Sequence, residues 1–147
     1  MKESIDEQLA RLLGENAQQN SETLAKKLNV SAATIRRRLK RLIKGGLLRI
    51  VGVIDPTKFG LPIAAVIALD VSFDKLQSVI DALAKQPEIK WVSITTGRFD
   101  IIAVARFRST DCLPDFVKKV LAKMDGVKDS ETFVCLDVRK GRYVPFT

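Results

Sequence analysis

The stretch from residue 31 to residue 50 constrains this chain most, because it is cationic and has the spacing of a helix. It contains seven Lys and Arg residues and no Asp or Glu. Ser31 is predicted to cap the helix through its side-chain oxygen. Gly45 and Gly46 are predicted to end it, since glycine adopts the left-handed conformation without a Cβ clash. The apolar stripe at helical spacing consists of Ile35, Leu39, Leu42 and Ile43.

The other faces of this predicted helix are basic. At about 100° per residue, the far side holds Ala33, Arg37, Lys40 and Lys44, and the flanks hold Arg36, Arg38 and Arg41. A helix that is anchored by one apolar face, is cationic elsewhere and begins with small residues can lie in the DNA major groove. The alternative is a solvated basic surface, but ordinary surface helices mix both signs of charge. DNA binding is therefore the favoured interpretation.

Two further predicted helices precede the basic one. Ser4 and Glu7 have the spacing of a capping box at the start of the first helix. Asn20 or Ser21 is placed to cap the second helix, which a tight turn at residues 29–30 joins to the basic one. Their apolar positions are Ile5, Leu9, Leu12 and Leu13, then Leu24, Ala25 and Leu28. Two short helices joined by about 3–4 residues, the second of them basic, form the helix-turn-helix pattern.

Charge and composition favour the same class of protein. The net charge is +8, and residues 1–54 carry eleven basic and five acidic residues, against fourteen and twelve in residues 55–147. The positive field of the first part predicts a polyanionic partner. The chain has no histidine, and its two cysteines, Cys112 and Cys135, fit no metal or redox spacing. We therefore expect no enzyme, cofactor or metal site.

The chain has no apolar run of membrane-spanning length and begins with a polar, acidic segment rather than an export signal. A cytoplasmic location is therefore expected.

The second half of the chain is predicted to be an α+β unit. Residues 47–54 have the composition of a strand, either a wing beside the basic helix or a stalk away from it. Residues 55–62, rich in Pro and Gly, are predicted as a hinge that separates a head (residues 1–54) from a second domain (residues 63–147). That domain contains a weak repeat: strands at residues 63–71, 89–95, 100–107 and 127–137, with a helix capped by Asp74 and another capped by Thr110 or Asp111. The order β-α-β-β-α-β is the ferredoxin-like arrangement.

Two of these predicted strands are apolar on both faces. Residues 63–69 and 101–105 do not alternate apolar with polar side chains. Two helices cover only one face of a four-stranded sheet, and a face open to water alternates. A second copy of the chain is therefore the expected cover, which predicts a homodimer through this domain. The alternative is that small alanines tolerate partial exposure.

With these elements in this order, the chain resembles the Lrp/AsnC family of feast/famine transcriptional regulators. The residues that carry the resemblance are Leu24-Ala25, residues 30–42, Gly46-Leu47-Leu48, Val53-Ile54-Asp55-Pro56, Gly60 and residues 96–100. One departure is Thr23, where the family usually has an acidic residue before Leu-Ala. A salt bridge from that position to the basic helix is therefore in doubt.

The resemblance implies a fold with an N-terminal helix-turn-helix, winged-helix-like domain and a C-terminal ferredoxin-like domain. It also implies binding to pseudo-palindromic double-stranded DNA, dimers that can assemble into tetramers or octamers, and amino-acid sensing in a cleft between C-terminal domains. Residues 97–100 match the loop that lines this cleft: Gly97, Arg98, Phe99 and Asp100, with Ser130 and Thr132 assigned to its border. Glycine lets a ligand approach closely, and Asp100 could pair with an ammonium group. A plain hairpin turn is the alternative.

The expected roles in DNA binding divide along the helix. Residues facing bases or groove walls are Ala33, Arg36, Arg37 and Lys40, and residues holding phosphates are Ser31, Thr34, Arg38, Arg41 and Lys44. Two other functions are weighed. The same fold family includes sirohaem decarboxylases, which use histidine and lack a strongly basic helix. This chain has no histidine and has such a helix, which disfavours that function. The chain could also be an amino-acid sensor whose DNA role is secondary.

Overall fold

A computed structural model of the chain describes residues 3–145 and begins with three helices. These are α1 (Ile5–Glu15), α2 (Ser21–Leu28) and α3 (Ala32–Lys44). They belong to the first of two compact units, which divide between Val51 and Gly52. The predicted helix-turn-helix is therefore present, with the basic helix as its second member.

Side chains at the predicted positions cap all three helices. Ser4 and Glu7 form the full capping box, each side chain accepting the backbone N–H of the other residue. Asn20 Oδ1 accepts the Thr23 N–H at 2.8 Å. Between α2 and α3, Asn29 adopts the left-handed conformation (φ 52°), which turns the chain sharply.

The core of this unit, the head, is a small aliphatic cluster. Its buried members are Leu9, Leu13, Leu24, Ala25, Ile35 and Leu42. Each helix contributes two of them, so each of the three amphipathic faces is buried against the other two. Ile43, predicted to share the stripe of α3, is instead 47% exposed. The prediction was wrong because Ile43 follows Leu42 directly and about 100° of rotation carries it off the buried face.

The second unit contains a four-stranded antiparallel sheet with two longer helices. Its elements are β2 (Ile63–Val71), α4 (Leu76–Ala84), β3 (Ile89–Ile94), β4 (Ile101–Phe107), α5 (Cys112–Lys119) and β5 (Val127–Val134). The strand order β3-β4-β2-β5 is that of the predicted ferredoxin-like domain. β2 and β4 are central, as their apolar sequences require.

One face of the sheet carries the core. Alternate residues of the central strands, including Ile67 and Ala103, pack with Val79 and Leu83 of α4 and Phe116 of α5. The other face, here called the open face, is also apolar. Val66 lies opposite Val104 on one side and Phe133 on the other, and Trp91 lies opposite Val104. Trp91 and Phe133 are each 52% exposed, so this row ends in large apolar side chains that face solvent in the single chain.

The strand predicted at residues 47–54 is much shorter than expected. Only Val53–Ile54 (β1) pairs, and its partner is β6 (Val144–Pro145) near the end of the chain. Residues 48–52 are irregular, because a strand needs a neighbour to satisfy its backbone groups and β6 supplies only two residues. The first unit ends at Val51, three residues before the predicted end of the head at residue 54, so β1 belongs to the second unit.

Two predicted caps and one strand end also differ. Asp74 lies inside a short 3-10 turn (Phe73–Lys75), and Lys75 occupies the N-cap position of α4 without a side-chain bond. Asp111 occupies the N-cap of α5, but its backbone is already helical, whereas a capping side chain reaches the first turn from extended backbone. β5 ends at Val134, so Cys135 lies just after the strand rather than in it. Among the described residues, no helix is long and apolar enough to cross a membrane.

Candidate nucleic-acid interface and effector loop

The N-terminal end of α3 is fixed by two hydroxyl groups. Ser31 Oγ accepts the Thr34 N–H at 3.1 Å and lies 2.9 Å from Thr34 Oγ1. Ser31 is exposed and Thr34 is half-buried. Ala33, between them, is exposed and small. The end of the helix predicted to approach DNA is therefore capped by a side chain and free of bulky side chains.

The cations of α3 stay outside the head core. Arg36, Arg37, Lys40, Arg41 and Lys44 are exposed, whereas Arg38 is half-buried. The buried positions Ile35 and Leu42 account for this arrangement, since they fix which side of the helix faces α1 and α2. The prediction that the cations of α3 lie outside the buried stripe is therefore confirmed, whereas Ile43 of the predicted stripe is exposed as well.

Two acidic residues outside α3 bind three of its arginines. Arg38 Nη1 donates to Asp6 Oδ1 at 2.7 Å, and Arg41 donates to the other oxygen of the same carboxylate. Arg36 Nη1 donates to Glu22 Oε1 at 3.1 Å. Asp6 lies in the first turn of α1 and Glu22 in the first turn of α2, so these pairs tie α3 to both other helices. Sequence reasoning assigned no role to either acidic residue.

Glu22 makes the acidic contact with α3 that the family pattern places at position 23. The acidic residue lies one position earlier than in the family pattern, and its carboxylate still contacts α3. Both side chains of the Glu22–Arg36 pair are 60% exposed, so this pair contributes little to stability. The Asp6–Arg38 pair is less exposed, at 26% and 29%. The Arg38 hydrogen bond is the main reason why the pKa of Asp6 lies below its usual value.

The remaining cations of α3 have no acidic partner in the described part of the chain. Within residues 3–145, no carboxylate lies within 4.0 Å of the charged groups of Arg37, Lys40 or Lys44. These three residues lie on the side opposite the buried stripe. They form a cationic strip whose charge is not neutralised inside the chain, which makes it available to an external polyanion.

The loop between β3 and β4 is a turn held by its own backbone. Gly97 has φ 112°, a conformation that disfavours any side chain. Thr95 donates through its hydroxyl to the Phe99 carbonyl at 2.8 Å and through its backbone N–H to the Asp100 carbonyl at 2.8 Å. The plain turn and the effector loop are therefore compatible, because the same geometry presents residues 97–100 at the surface.

The polar groups of this loop are partly engaged within the chain. Asp100 Oδ2 accepts the Val71 N–H at 2.8 Å. Arg98 lies with its guanidinium carbon 5.0 Å from the centre of the Phe99 ring and donates to Glu131 at 2.9 Å. Glu131, which sequence reasoning did not select, is therefore the β5 residue that contacts the loop. Asp100 and Arg98 therefore both have partners within the chain. A bound ligand would either replace these partners or bind beside them.

Ser130 and Thr132 lie next to Glu131 but alternate with it across the strand. Ser130 pairs with Leu69 and Thr132 with Ile67, both of which pack on the helix side of the sheet, while Glu131 pairs with Ala68 on the open face. The structure thus brings Arg98 to Glu131 and leaves Ser130 and Thr132 on the other face of β5. The period of two along a strand could have revealed this separation from the sequence.

Comparison with known proteins gives two family matches that together cover most of the chain. Residues 4–43 match an AsnC-type helix-turn-helix domain, and residues 64–145 match the Lrp/AsnC ligand binding domain. The HTH-type transcriptional regulator PH0140 of Pyrococcus horikoshii is 34% identical over 142 residues, which is 96% of this chain and 90% of the relative.

Solved structures show the same fold at lower identity. E. coli AsnC aligns with a TM-score of 0.85 at 23% identity, covering 95% of each chain. The regulator NMB0573 from Neisseria meningitidis, solved as a complex with L-Met, aligns with a TM-score of 0.86 at 23% identity, covering 95% of this chain and 93% of that one. The helical head and the ferredoxin-like unit therefore occur together in other chains of similar length.

The lowered pKa of Asp6 predicts a pH dependence of the head. A carboxyl whose folded pKa lies below its unfolded value stabilises the fold above the unfolded value, near 3.8. This contribution is lost as pH falls through the lower folded pKa. Asp6→Asn should therefore lower the free energy of opening of α1 and α3 by about 1–2 kcal/mol at pH 7 and flatten its decline in acid. Hydrogen exchange of the α1 and α3 amides, corrected for intrinsic rates at each pH, measures this.

The matched control for Asp6→Asn is Glu22→Gln, which removes an ion pair exposed on both sides and should change the opening free energy by less than about 0.5 kcal/mol. An unchanged acid profile in Asp6→Asn would show that Asp6 does not brace α3.

Proposed function

This chain belongs to the Lrp/AsnC family of transcriptional regulators, and from that premise we propose that it binds specific DNA sequences through α3. The observation that carries the proposal is the cationic strip of Arg37, Lys40 and Lys44, which is exposed and has no acidic partner within residues 3–145. Beside it, Ala33 leaves room for a base edge at the start of the helix.

Roles on α3 follow from its ion pairs. Arg37 and Lys40 have side chains free to reach base edges in the major groove. Arg38 and Arg41 bind Asp6, which holds them in place, and each guanidinium keeps further N–H donors for phosphate. Arg36, paired with Glu22 at the surface, would have to share or leave that carboxylate to contact DNA. The Asp6-bound arginines therefore set register on the backbone, and Arg37 carries more of the specificity.

We also propose that the chain acts as a homodimer or a larger homo-oligomer through the open face of its sheet. Val66 and Val104 are half-buried and the flanking Trp91 and Phe133 are half-exposed, so a contiguous apolar row lies on this face. Covering such a row with its own copy removes it from water. A dimer carries two copies of α3, which would read half-sites about 34 Å apart or a multiple of that.

A small-molecule effector is proposed at the loop of residues 97–100, in a cleft between neighbouring second units. The L-Met complex of the similar NMB0573 structure supports an amino acid as the ligand class. In this chain, the Asp100 carboxylate uses Oδ2 for the Val71 N–H, so its other oxygen would take the ammonium group. Arg98 and Glu131, which pair with each other, would border the ligand.

Of the predictions made by this proposal, the first concerns DNA recognition by α3. Arg37→Glu should weaken binding to DNA recovered with the wild-type protein by at least about 100-fold, because it places a carboxylate against the groove without touching the head core. Titrations by fluorescence anisotropy at fixed salt measure the affinity. The control is Lys118→Glu, an equal change of charge at an exposed position of α5, which should leave binding within about threefold. Equal affinities of Arg37→Glu and wild type would refute the assignment of α3.

The second prediction concerns assembly. Phe133→Asp puts a charge in the apolar row and should convert the oligomer into monomers, as measured by size-exclusion chromatography with light scattering. Phe73→Asp makes the same change at a side chain that is 91% exposed in the turn before α4, and it should leave the dimer intact. A dimer that persists in Phe133→Asp at micromolar concentration would exclude the open face as the interface.

The third prediction concerns the effector. At least one of the twenty amino acids should raise the melting temperature of the wild-type chain, because a ligand that binds only the folded state stabilises it. Asp100→Asn should abolish this shift, since it removes the charge that pairs with the ammonium group, while Asp74→Asn in an exposed turn should keep it. If none of the amino acids shifts the wild type, the effector proposal fails.

A further inference from the structure

A cavity of about 470 Å³ lies in the second unit at the end of β4 that is far from the effector loop. It is lined by residues of β1 and β6, the start of β3, and Arg106, Phe107 and Arg108 at the end of β4. β4 has seven residues and the loop precedes its first one, so about 20 Å of strand separates the two places. The volume falls within the range of small-molecule sites, about 300–1,000 Å³.

Arg106 gives this cavity its chemistry. It is the one charged side chain that is buried among residues 3–145, with 5% of its surface exposed. Its Nε is buried without a hydrogen-bond partner, and no carboxylate of the described residues forms an ion pair with it. Its backbone N–H donates to the Glu88 carbonyl at 2.9 Å, so the main chain is fixed while the guanidinium still has unused donors. A buried cation of this kind favours an anion beside it.

The remaining lining residues define what kind of anion fits. Arg108 adds positive charge, and among residues 3–145 Glu88 is the only acidic residue of the lining. The apolar walls come from Ile54, Leu61, Pro87, Phe107, Val144 and Pro145. A planar guanidinium matches a carboxylate through two parallel hydrogen bonds. Apolar walls favour a hydrocarbon chain on that carboxylate over a fully hydrated dianion such as phosphate.

A second cavity of about 280 Å³ lies beside the first and shares Glu88, Phe107 and Cys112 with it. Its other lining residues include the charged Asp115 and Lys119 as well as Phe116 and Val120, so the proposed ligand is confined to the first cavity.

We propose that this cavity binds a small monocarboxylate with a short apolar chain, its carboxylate on Arg106 and its chain against Leu61 and Phe107. The site is separate from the effector loop and does not depend on DNA binding. It also contacts Ile54 and Val144, which form the β1–β6 pair, so an occupied cavity stabilises this two-stranded sheet.

Isothermal titration of the full chain with three probes tests the proposal. The probes are 4-methyl-2-oxopentanoate, L-leucine and the neutral 4-methyl-2-oxopentanamide. The oxo acid should bind, and the amide should bind at least about 30-fold more weakly because it lacks the charge that Arg106 requires. L-Leucine shows whether the carboxylate comes from an amino acid or from an acid without an amino group. If L-leucine binds more tightly than the oxo acid, its ammonium group is assigned to Glu88. If L-leucine binds more weakly, the site is assigned to acids without an amino group.

Variants at the two ends of β4 identify where the probe binds. Arg106→Met keeps the length of the side chain and removes a buried unpartnered charge, so the chain should fold with an equal or higher melting temperature and lose at least about 30-fold in affinity for the oxo acid. Arg98→Met removes an exposed arginine at the effector loop and should bind like wild type. Leu61→Trp, which fills the cavity and keeps Arg106, should also lose binding and gives a second test if Arg106→Met does not fold.

Three results would overturn the proposal. One is oxo-acid binding to Arg106→Met or Leu61→Trp within about threefold of wild type. Another is loss of binding in Arg98→Met with retention in Arg106→Met, which assigns the carboxylate to the effector loop instead. The third is a wild-type dissociation constant weaker than about 10 mM for the oxo acid and for L-leucine. Protection of the β1 and β6 amides from hydrogen exchange in the presence of the oxo acid is the supporting result.

Discussion

The head depends on one constraint: a helix with six basic residues has to be held by a single narrow face. Ile35 and Leu42 fill that face and are almost completely buried against α1 and α2. Mutual repulsion among the six cations opposes the helix, because like charges at helical spacing destabilise it. Asp6 and Glu22 offset part of this repulsion from outside the helix. The side opposite the core is left uncompensated, and this is the side proposed to meet DNA.

In the second unit, the two faces of the sheet also differ, because the helices cover only one of them. Its helices cover one side of the sheet with the residues that alternate through Ile67 and Ala103. The other side has a row of Val66 and Val104 between two half-exposed aromatic side chains. The effector loop and the Arg106 cavity lie at opposite ends of β4 in this same unit. A single sheet therefore carries three proposed roles: assembly on its open face, amino-acid sensing at one end and carboxylate binding at the other, where Arg106 lies opposite Ala64 on the same face as Val104.

Features set by local residue order were predictable from the sequence. The capping box at Ser4 and the cap at Ser31 depend on residues within or next to one helix, and the structure confirms both. It also confirms the predicted stripe of α3 at Ile35, Leu39 and Leu42 but not at Ile43. The β-α-β-β-α-β order also followed from apolar strand segments, helical spacing of about 3.6 and a weak internal repeat. Features that depend on distant partners were missed. The contact of Asp6 with Arg38 spans 32 positions, and the length of β1 is set by a partner about ninety residues later.

The candidate sites show the same division. The exposed cations of α3 were identified because helix periodicity places them. Ser130 and Thr132 were assigned to the border of the cleft, whereas the strand period places them on the other face of β5 from Glu131, which contacts Arg98. Nothing in the sequence singled out Arg106 as a site residue, because it is one residue of an apolar strand whose side chains point alternately to the two faces of the sheet. Its burial without a partner emerges only when the end of the sheet and the β1–β6 pair meet around it.

Methylation interference on DNA selected from a random pool by the full chain tests the central claim most directly. The account predicts a symmetric site whose two halves lie about one helical turn apart or a multiple of it, with interference at guanine N7 atoms in the major groove of each half. Recovered DNA without a shared symmetric motif, or interference confined to adenine N3 in the minor groove, would contradict the claim that α3 reads the sequence.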